Sequence, residues 1–190
     1  GLATAQSFDQ MIAAARRDEP GAQLDGRRGP AVASGRTPGC VTNLAGVTLV
    51  DTDVRPADLL AAVDAVYCVT SALGFEALLR GLPVRCFGAP FYSGWGLTTD
   101  AVQTGRRGVA RSIEQVAAAA LLAYSRYVDP VTGDLCEAEQ ALERLQAQAE
   151  ADGEEGEALQ HHIAFEHAGH GLSAAVDAGT VQQGAGQGDR

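Results

Sequence analysis

The sequence predicts an α/β protein built on a Rossmann-like parallel sheet with flanking helices. Three observations carry that prediction. Short β-branched or almost wholly apolar stretches recur at Val47–Val50, Ala65–Thr70 and Val84–Phe87. Stretches with helical signals separate them. The punctuation also falls where crossovers need it, with Pro56 opening one helix and Gly81-Leu82-Pro83 closing the next. Strand–helix–strand–helix–strand in one continuous run is the pattern of a parallel sheet with right-handed crossovers.

Taken in order, Ser7 opens a first helix with Gln10 as its capping-box partner. That helix runs through Met11, Ile12 and Ala15 and stops before Pro20-Gly21. Leu24–Gly39, rich in Gly, Pro and Arg, reads as loop. Val47–Val50 is a strand, and Pro56–Val63 a short helix with Pro at its first turn. Ala65–Thr70 (AVYCVT) lacks polar alternation, as expected of a strand covered on both faces. Ser71–Arg80 is helical; Gly81 ends it, Leu82 packs back on it and Pro83 forbids continuation. Val84–Phe87 is the next strand, and Gly88–Asp100 a loop. Ser112 and Gln115 cap an Ala-rich helix reaching about Tyr127, broken by Asp129-Pro130. Glu137–Ala149 is a last amphipathic helix carrying Leu142 and Leu145. Residues 1–150 are expected to form one folded domain, and 151–190 an acidic, Gly-rich, disordered tail. There are no internal repeats.

The 190 residues suffice to bury a core. The net charge of −10 is unevenly placed: twelve Arg balance twelve acids up to Pro130, and two Arg face twelve acids beyond it. A neutral body with an acidic end argues against nucleic acid as a partner. The longest apolar run, Val116–Tyr124, is far too short to cross a bilayer. The four cysteines form no CxxC pair, and Cys68 and Cys86 fall inside apolar strands; reduced thiols in a cytoplasmic protein are the simplest reading. The first residue is Gly, which suggests a piece of a longer protein.

Thr70 and Ser71 stand where a buried strand ends and a helix begins. In open parallel sheets ligands bind outside the carboxyl ends of the strands, and a helix start offers N–H groups and a positive dipole end to a phosphate. Ser71 can serve as an N-cap or present its hydroxyl to an anion, and Gly74 would allow close approach; a plain cap with a packing glycine fits equally well. Glu76, in an otherwise apolar helix, either faces solvent or accepts hydrogen bonds from ribose hydroxyls. The loop GAPFYSGWGLTTD holds Tyr92, Gly94, Trp95, Gly96 and Thr98. Trp95, the one Trp in the chain, sits between two glycines, suited to stack on a sugar or to plug the sheet end. Arg28, Arg106 and Arg107, with Arg111, are candidate anion contacts, or solvated surface. All four His lie within His161–His170, where His162, Glu166 and His170 would share a helical face. Gly169 and Gly171 weaken such a helix, and no metal site is assigned.

The run SALGFEALLRGLPVRCFGAPFYSGWGLTTD, with PADLLAAVDAVYCVTS before it and AYSRYVDPVTGDLC after it, resembles the capsule polysaccharide biosynthesis/export family, whose members include KpsC-type β-Kdo transferases. The resemblance covers roughly Phe8 to Leu145. It implies one half of a GT-B-like glycosyltransferase, with CMP-Kdo as donor substrate, no cofactor, and a glycolipid acceptor at the inner membrane face among other capsule assembly proteins. Carried over by position, Thr70 and Ser71 would contact the CMP phosphate, Glu76 would serve the nucleotide, and Tyr92–Thr98 would border the sugar. The family's Lys-x-His-Pro-like motif finds its nearest match in Arg28-Gly29-Pro30, with Gly29 where His is expected. The catalytic acids, the acceptor half and the first strand of this half are expected outside the chain, which by itself should not turn over. A non-catalytic accessory module of capsule export, or a domain for a UDP-linked donor, remain the alternatives.

Overall fold

The computed structural model describes residues 3–27, 44–50, 54–156 and 173–177. Two compact units emerge: Gly1–Ile113 together with His170–Arg190, and Glu114–Gly169.

In the first unit, helix α1 (Ala5–Asp18) is followed by strands β1 (Gln23–Arg27) and β2 (Val47–Val50), helix α2 (Pro56–Ala61), strand β3 (Ala65–Cys68), helix α3 (Ala72–Leu79), strands β4 (Val84–Cys86) and β5 (Thr99–Asp100), and a last strand β8 (Ser173–Asp177). Among the described residues the sheet has six strands in the order β2-β1-β8-β3-β4-β5, and every pairing is parallel. The α/β reading therefore holds, with the parallel sheet flanked by helices.

Alternation along β3 explains how both faces are covered. Tyr67 joins Phe8, Met11, Ile12 and Ala15 of α1, with Leu24, Val69 and Phe87, in one core. Cys68, pointing the other way, lies beneath Gly74 of α3. Such a strand has no solvent face, which is why its sequence is continuously apolar.

Three local expectations change. The cap of α1 is Thr4, not Ser7: the Thr4 hydroxyl accepts from Ser7 N–H and Ser7 Oγ accepts from Thr4 N–H. Ser7 thus takes the third helical position of the capping box, a role usually filled by Glu or Gln. Gln23–Arg27, read as the edge of a loop, is a strand; Gly26 sits inside it because a Cβ there would lie 2.6 Å from Val47 Cγ1. Of the region expected to be a disordered tail, residues 151–156 continue the last helix and Ser173–Asp177 form a sheet strand between β1 and β3. An open row of backbone donors and acceptors on either side outweighs the polar composition around that strand.

The second unit contains most of helix α4 (Ile113–Ala117), which begins at the unit boundary, and a π-helical turn over Ala118–Tyr124 where a continuous α-helix was expected. Strands β6 (Tyr127–Val128) and β7 (Leu135–Cys136) form an antiparallel hairpin, and helix α5 runs over Ala138–Gly156. Asp129, 1% exposed, organises the hairpin turn: its carboxylate accepts from the N–H groups of Val131 (2.8 Å) and Thr132 (3.4 Å) and from Gln140 Nε2 (3.1 Å), with Arg144 Nε 3.5 Å away. No helix among the described residues is long and apolar enough to cross a membrane.

Candidate functional site

The candidate site lies along the carboxyl edge of the parallel sheet, where β3 gives way to α3. Ser71 is the N-cap of α3, in extended backbone conformation, and its Oγ accepts from Leu73 N–H at 3.1 Å. The hydroxyl hydrogen of Ser71 and the N–H of Ala72 keep their capacity to meet an anion. Thr70, just before the cap, is exposed. The helix begins at this edge because Ser71 supplies the cap. It ends where Gly81 takes φ +75°, with Gly81 N–H on Leu78 O and Leu82 N–H on Ala77 O, both 3.0 Å. That pair of bonds is the Schellman motif read from Gly81-Leu82-Pro83.

Gly74 does different work from close ligand approach. A Cβ on it would strike the Tyr92 hydroxyl and lie 2.9 Å from Cys68 Sγ. Tyr92 is wholly buried; its hydroxyl donates to Ser71 C=O and lies 3.3 Å from Cys68 Sγ. It therefore pins the first turn of α3 from beneath. Cys68 and Cys86, register partners on β3 and β4, are free thiols with Sγ atoms 3.9 Å apart. Their mutual hydrogen bond, reinforced by burial, pushes the Cys86 thiol far above its ordinary range, so it stays protonated.

Glu76 is half-buried, and its carboxylate has no hydrogen-bond or ion-pair partner among the described residues. The loop after β4 is closed by its own bonds. Asp100 Oδ2 accepts from Gly94 N–H at 2.8 Å, and Asp100 Oδ1 accepts from Thr98 Oγ1 at 2.7 Å. Gly94 and Gly96 adopt φ +78° and +81°, which their lack of Cβ permits. Half-buried Trp95 donates from Nε1 to Phe91 C=O at 2.9 Å, and its ring lies 5.9 Å from the Arg107 guanidinium carbon. Arg107 also donates to Pro90 C=O and to Ser93 C=O (3.2 Å), so it clamps the loop. Arg106 and Arg111 are exposed. Gly88 brings this loop against the end of β3: a Cβ there would lie 2.7 Å from Val69 O.

One residue escaped the sequence reading. Arg27 ends β1 at the same edge, half-buried, and its Nε is enclosed without a hydrogen-bond partner among the described residues. The signal was the Arg27-Arg28 pair before Gly29-Pro30, hidden because Leu24–Gly39 read as loop. Arg28 and the His161–His170 cluster lie outside the described residues. Among those described, no group of three or more His, Cys, Asp or Glu could hold a metal.

Fold and site together define a class: a Rossmann-like α/β unit whose sheet presents a capped helix start at its carboxyl edge. The family model described as capsule polysaccharide biosynthesis protein matches residues 2–129. The capsule polysaccharide modification protein LipA of Neisseria meningitidis serogroup B is 44% identical over 144 residues, 70% of this chain and 20% of the relative. The lipopolysaccharide-processing protein LpsZ of Rhizobium meliloti is 38% identical over 150 residues, 76% of this chain and 34% of that one. Among solved structures, the β-Kdo 2,4 transferase of Thermosulfurimonas dismutans KpsC superposes with a TM-score of 0.71 at 37% identity, over 76% of this chain and 46% of that one. The β-Kdo 2,7 transferase of the same KpsC gives 0.60 at 31% identity, over 73% and 45%. The chain belongs to the capsule polysaccharide biosynthesis family. It spans a fifth to a third of the length of these curated relatives and just under half of the solved chains.

Proposed function

We propose that this chain is the donor-nucleotide-binding half of a GT-B-like capsule glycosyltransferase that moves Kdo from CMP-Kdo to a glycolipid acceptor. The observation that carries the reading is the likeness to the β-Kdo 2,4 transferase of KpsC, at a TM-score of 0.71 and 37% identity. The capped start of α3 at the carboxyl edge gives it a chemical basis. In the reaction, an acceptor hydroxyl attacks the anomeric carbon of Kdo. The bond from that carbon to the CMP phosphate oxygen breaks, and CMP leaves with the electron pair. The hydroxyl proton passes to a base in the other half of the enzyme. The task of this half is to bind the nucleotide and to stabilise the charge growing on the leaving phosphate. Ser71 Oγ–H, the Ala72 N–H and the α3 dipole suit that task, with Arg27, at the end of β1 on the same sheet edge, as a further cationic candidate. The free carboxylate of Glu76 is suited to ribose hydroxyls, and the Trp95 loop to the sugar. No resident cofactor enters this scheme, and the work belongs at the cytoplasmic face of the inner membrane, beside the other capsule assembly proteins.

Calorimetric titration of the full chain with CMP and with UMP tests the reading. CMP is expected to bind more tightly than UMP, and Ser71→Ala to weaken CMP by roughly tenfold, the worth of one charge-assisted hydrogen bond. Absence of heat at millimolar CMP would end the donor-site reading, and preference for UMP would redirect it to a UDP-linked donor. One sequence feature favours a second reading, a non-catalytic accessory module of capsule export: Gly29 stands where the family motif carries His. That reading expects no CMP binding by a folded chain.

A further inference from the structure

Ser71 C=O and Ala72 N–H belong to one planar trans peptide, so they point in opposite directions. Whatever fixes the carbonyl therefore aims the N–H. The Ser71 carbonyl accepts twice, from Gly74 N–H at 3.3 Å and from the Tyr92 hydroxyl. The first bond is helical and moves with the turn. The second ties the peptide to a side chain that cannot move. Tyr92 is wholly buried, with the Phe75 ring stacked 6.1 Å away and the Phe91 ring edge-on at 5.2 Å. Ala72 N–H, in the first turn of α3, has no intrahelical acceptor and is directed away from Tyr92.

Donor counting gives the chain of bonds beneath α3 a direction. A carbonyl only accepts, so Tyr92 commits its one proton to Ser71. The phenol oxygen, 3.3 Å from Cys68 Sγ, is left to accept from that thiol. Cys68 Sγ then accepts from Cys86, whose Sγ lies 3.9 Å away. Both thiols are buried, and the bond to Cys68 together with burial keeps Cys86 protonated. The order is Cys86 S–H, Cys68 S–H, Tyr92 O–H, Ser71 C=O. Each bond polarises the next in the same sense, and the Ala72 N–H stands at the end of the row.

We propose that Tyr92 is a positioning residue for the donor phosphate: through Ser71 C=O it aims the Ala72 N–H and strengthens it as a donor, with Cys68 and Cys86 as the buried tail of the relay. The inference rests on the donor-site reading of α3 and adds to it a side chain that acts from beneath the ligand. Gly74 is the residue that leaves room for the relay, because a Cβ there would strike the Tyr92 hydroxyl and crowd Cys68 Sγ.

Titration of the 15N-labelled full chain with CMP and with cytidine, followed amide by amide by NMR, tests this. Tyr92→Phe keeps the ring and removes the hydroxyl. It is expected to weaken CMP by about fivefold and to leave cytidine, which lacks the phosphate, within about twofold of wild type. In the free variant the Ala72 amide proton should move upfield, as a less polarised donor does. Cys68→Ala leaves Tyr92 and Ser71 in place and should move the Ala72 amide in the same direction by a smaller amount. Unchanged CMP affinity in Tyr92→Phe would overturn the proposal while the donor-site reading stands. An equal loss for CMP and cytidine would also overturn it, since Tyr92 would then only hold the shape of the pocket. Should Tyr92→Phe lose the dispersed spectrum of the fold, Cys68→Ala decides alone, and an unmoved Ala72 amide there refutes the relay. If CMP shifts no amide of the wild type, the donor-site reading itself falls and takes this inference with it.

Discussion

Gly74 and Tyr92 are one unit: the glycine exists to admit the phenol. Gly74→Ala is expected to cost about 1–3 kcal/mol through overpacking against the Tyr92 hydroxyl and Cys68. Tyr92→Phe alone should cost about 1 kcal/mol for the lost bond to Ser71 C=O. The double variant should be more stable than the sum of the two losses predicts, because Phe removes the tightest of the three contacts the new methyl meets, leaving Cys68 Sγ and the ring carbon each at 2.9 Å. Urea unfolding of the four proteins reads this, and strict additivity would refute the contact as the reason for glycine. Asp129 offers a second residue-scale test. Its carboxyl is held below the ordinary carboxylate range first by Val131 N–H, then by Thr132 N–H and Arg144, against the opposing effect of burial. A depressed carboxyl stabilises the fold above its unfolded value near ~4 and loses that contribution as pH falls toward the folded value. Wild type should therefore lose more thermal stability between neutral pH and pH ~3 than Asp129→Asn, which carries no titrating group there.

At the scale of elements, α3 is defined by its two ends. Ser71→Ala should destabilise the helix by about 1 kcal/mol through loss of the cap, apart from any effect on ligand. At the other end, a Cβ on Gly81 would meet nothing within 4 Å, so Gly81→Ala isolates the cost of a left-handed backbone, φ +75°. About 1 kcal/mol is expected from thermal unfolding, with no change in CMP affinity because Gly81 is remote from the capped end. Both ends were legible in the sequence, since caps are local chemistry. The loop after β4 was only half legible. Its glycines and Trp95 announced a special conformation. That Arg107 braces the loop depends on carbonyls of Pro90 and Ser93, more than ten residues away. The π-helical Ala118–Tyr124 left no sequence signal in a run of Ala and Leu.

For the whole molecule, charge and apolar surface divide unevenly. The first unit holds the parallel sheet and the candidate site. In the second, Leu122, Tyr124, Val131, Leu135, Leu142 and Leu145 are all more than half exposed, Leu142 and Leu145 being the pair that the last amphipathic helix carries. A stripe of helical spacing tells which residues share a face; it does not tell what covers that face. By itself, the sequence determined the strands at Val47–Val50, Ala65–Thr70 and Val84–Phe87, the last two ending at Cys68 and Cys86 in the structure, the cap at Ser71, the stop at Gly81 and the membership of the family, because these rest on local backbone preference and contiguous motifs. Only the tertiary structure decided that Gln23–Arg27 is a strand, that Arg27 ends it with an enclosed Nε, that Tyr92 lies beneath the start of α3, and that Ser173–Asp177 fills the centre of the sheet. The reason is physical: a five-residue strand in a parallel sheet owes its existence to partners far away in the chain, and pairing between such distant segments leaves no periodicity in either one.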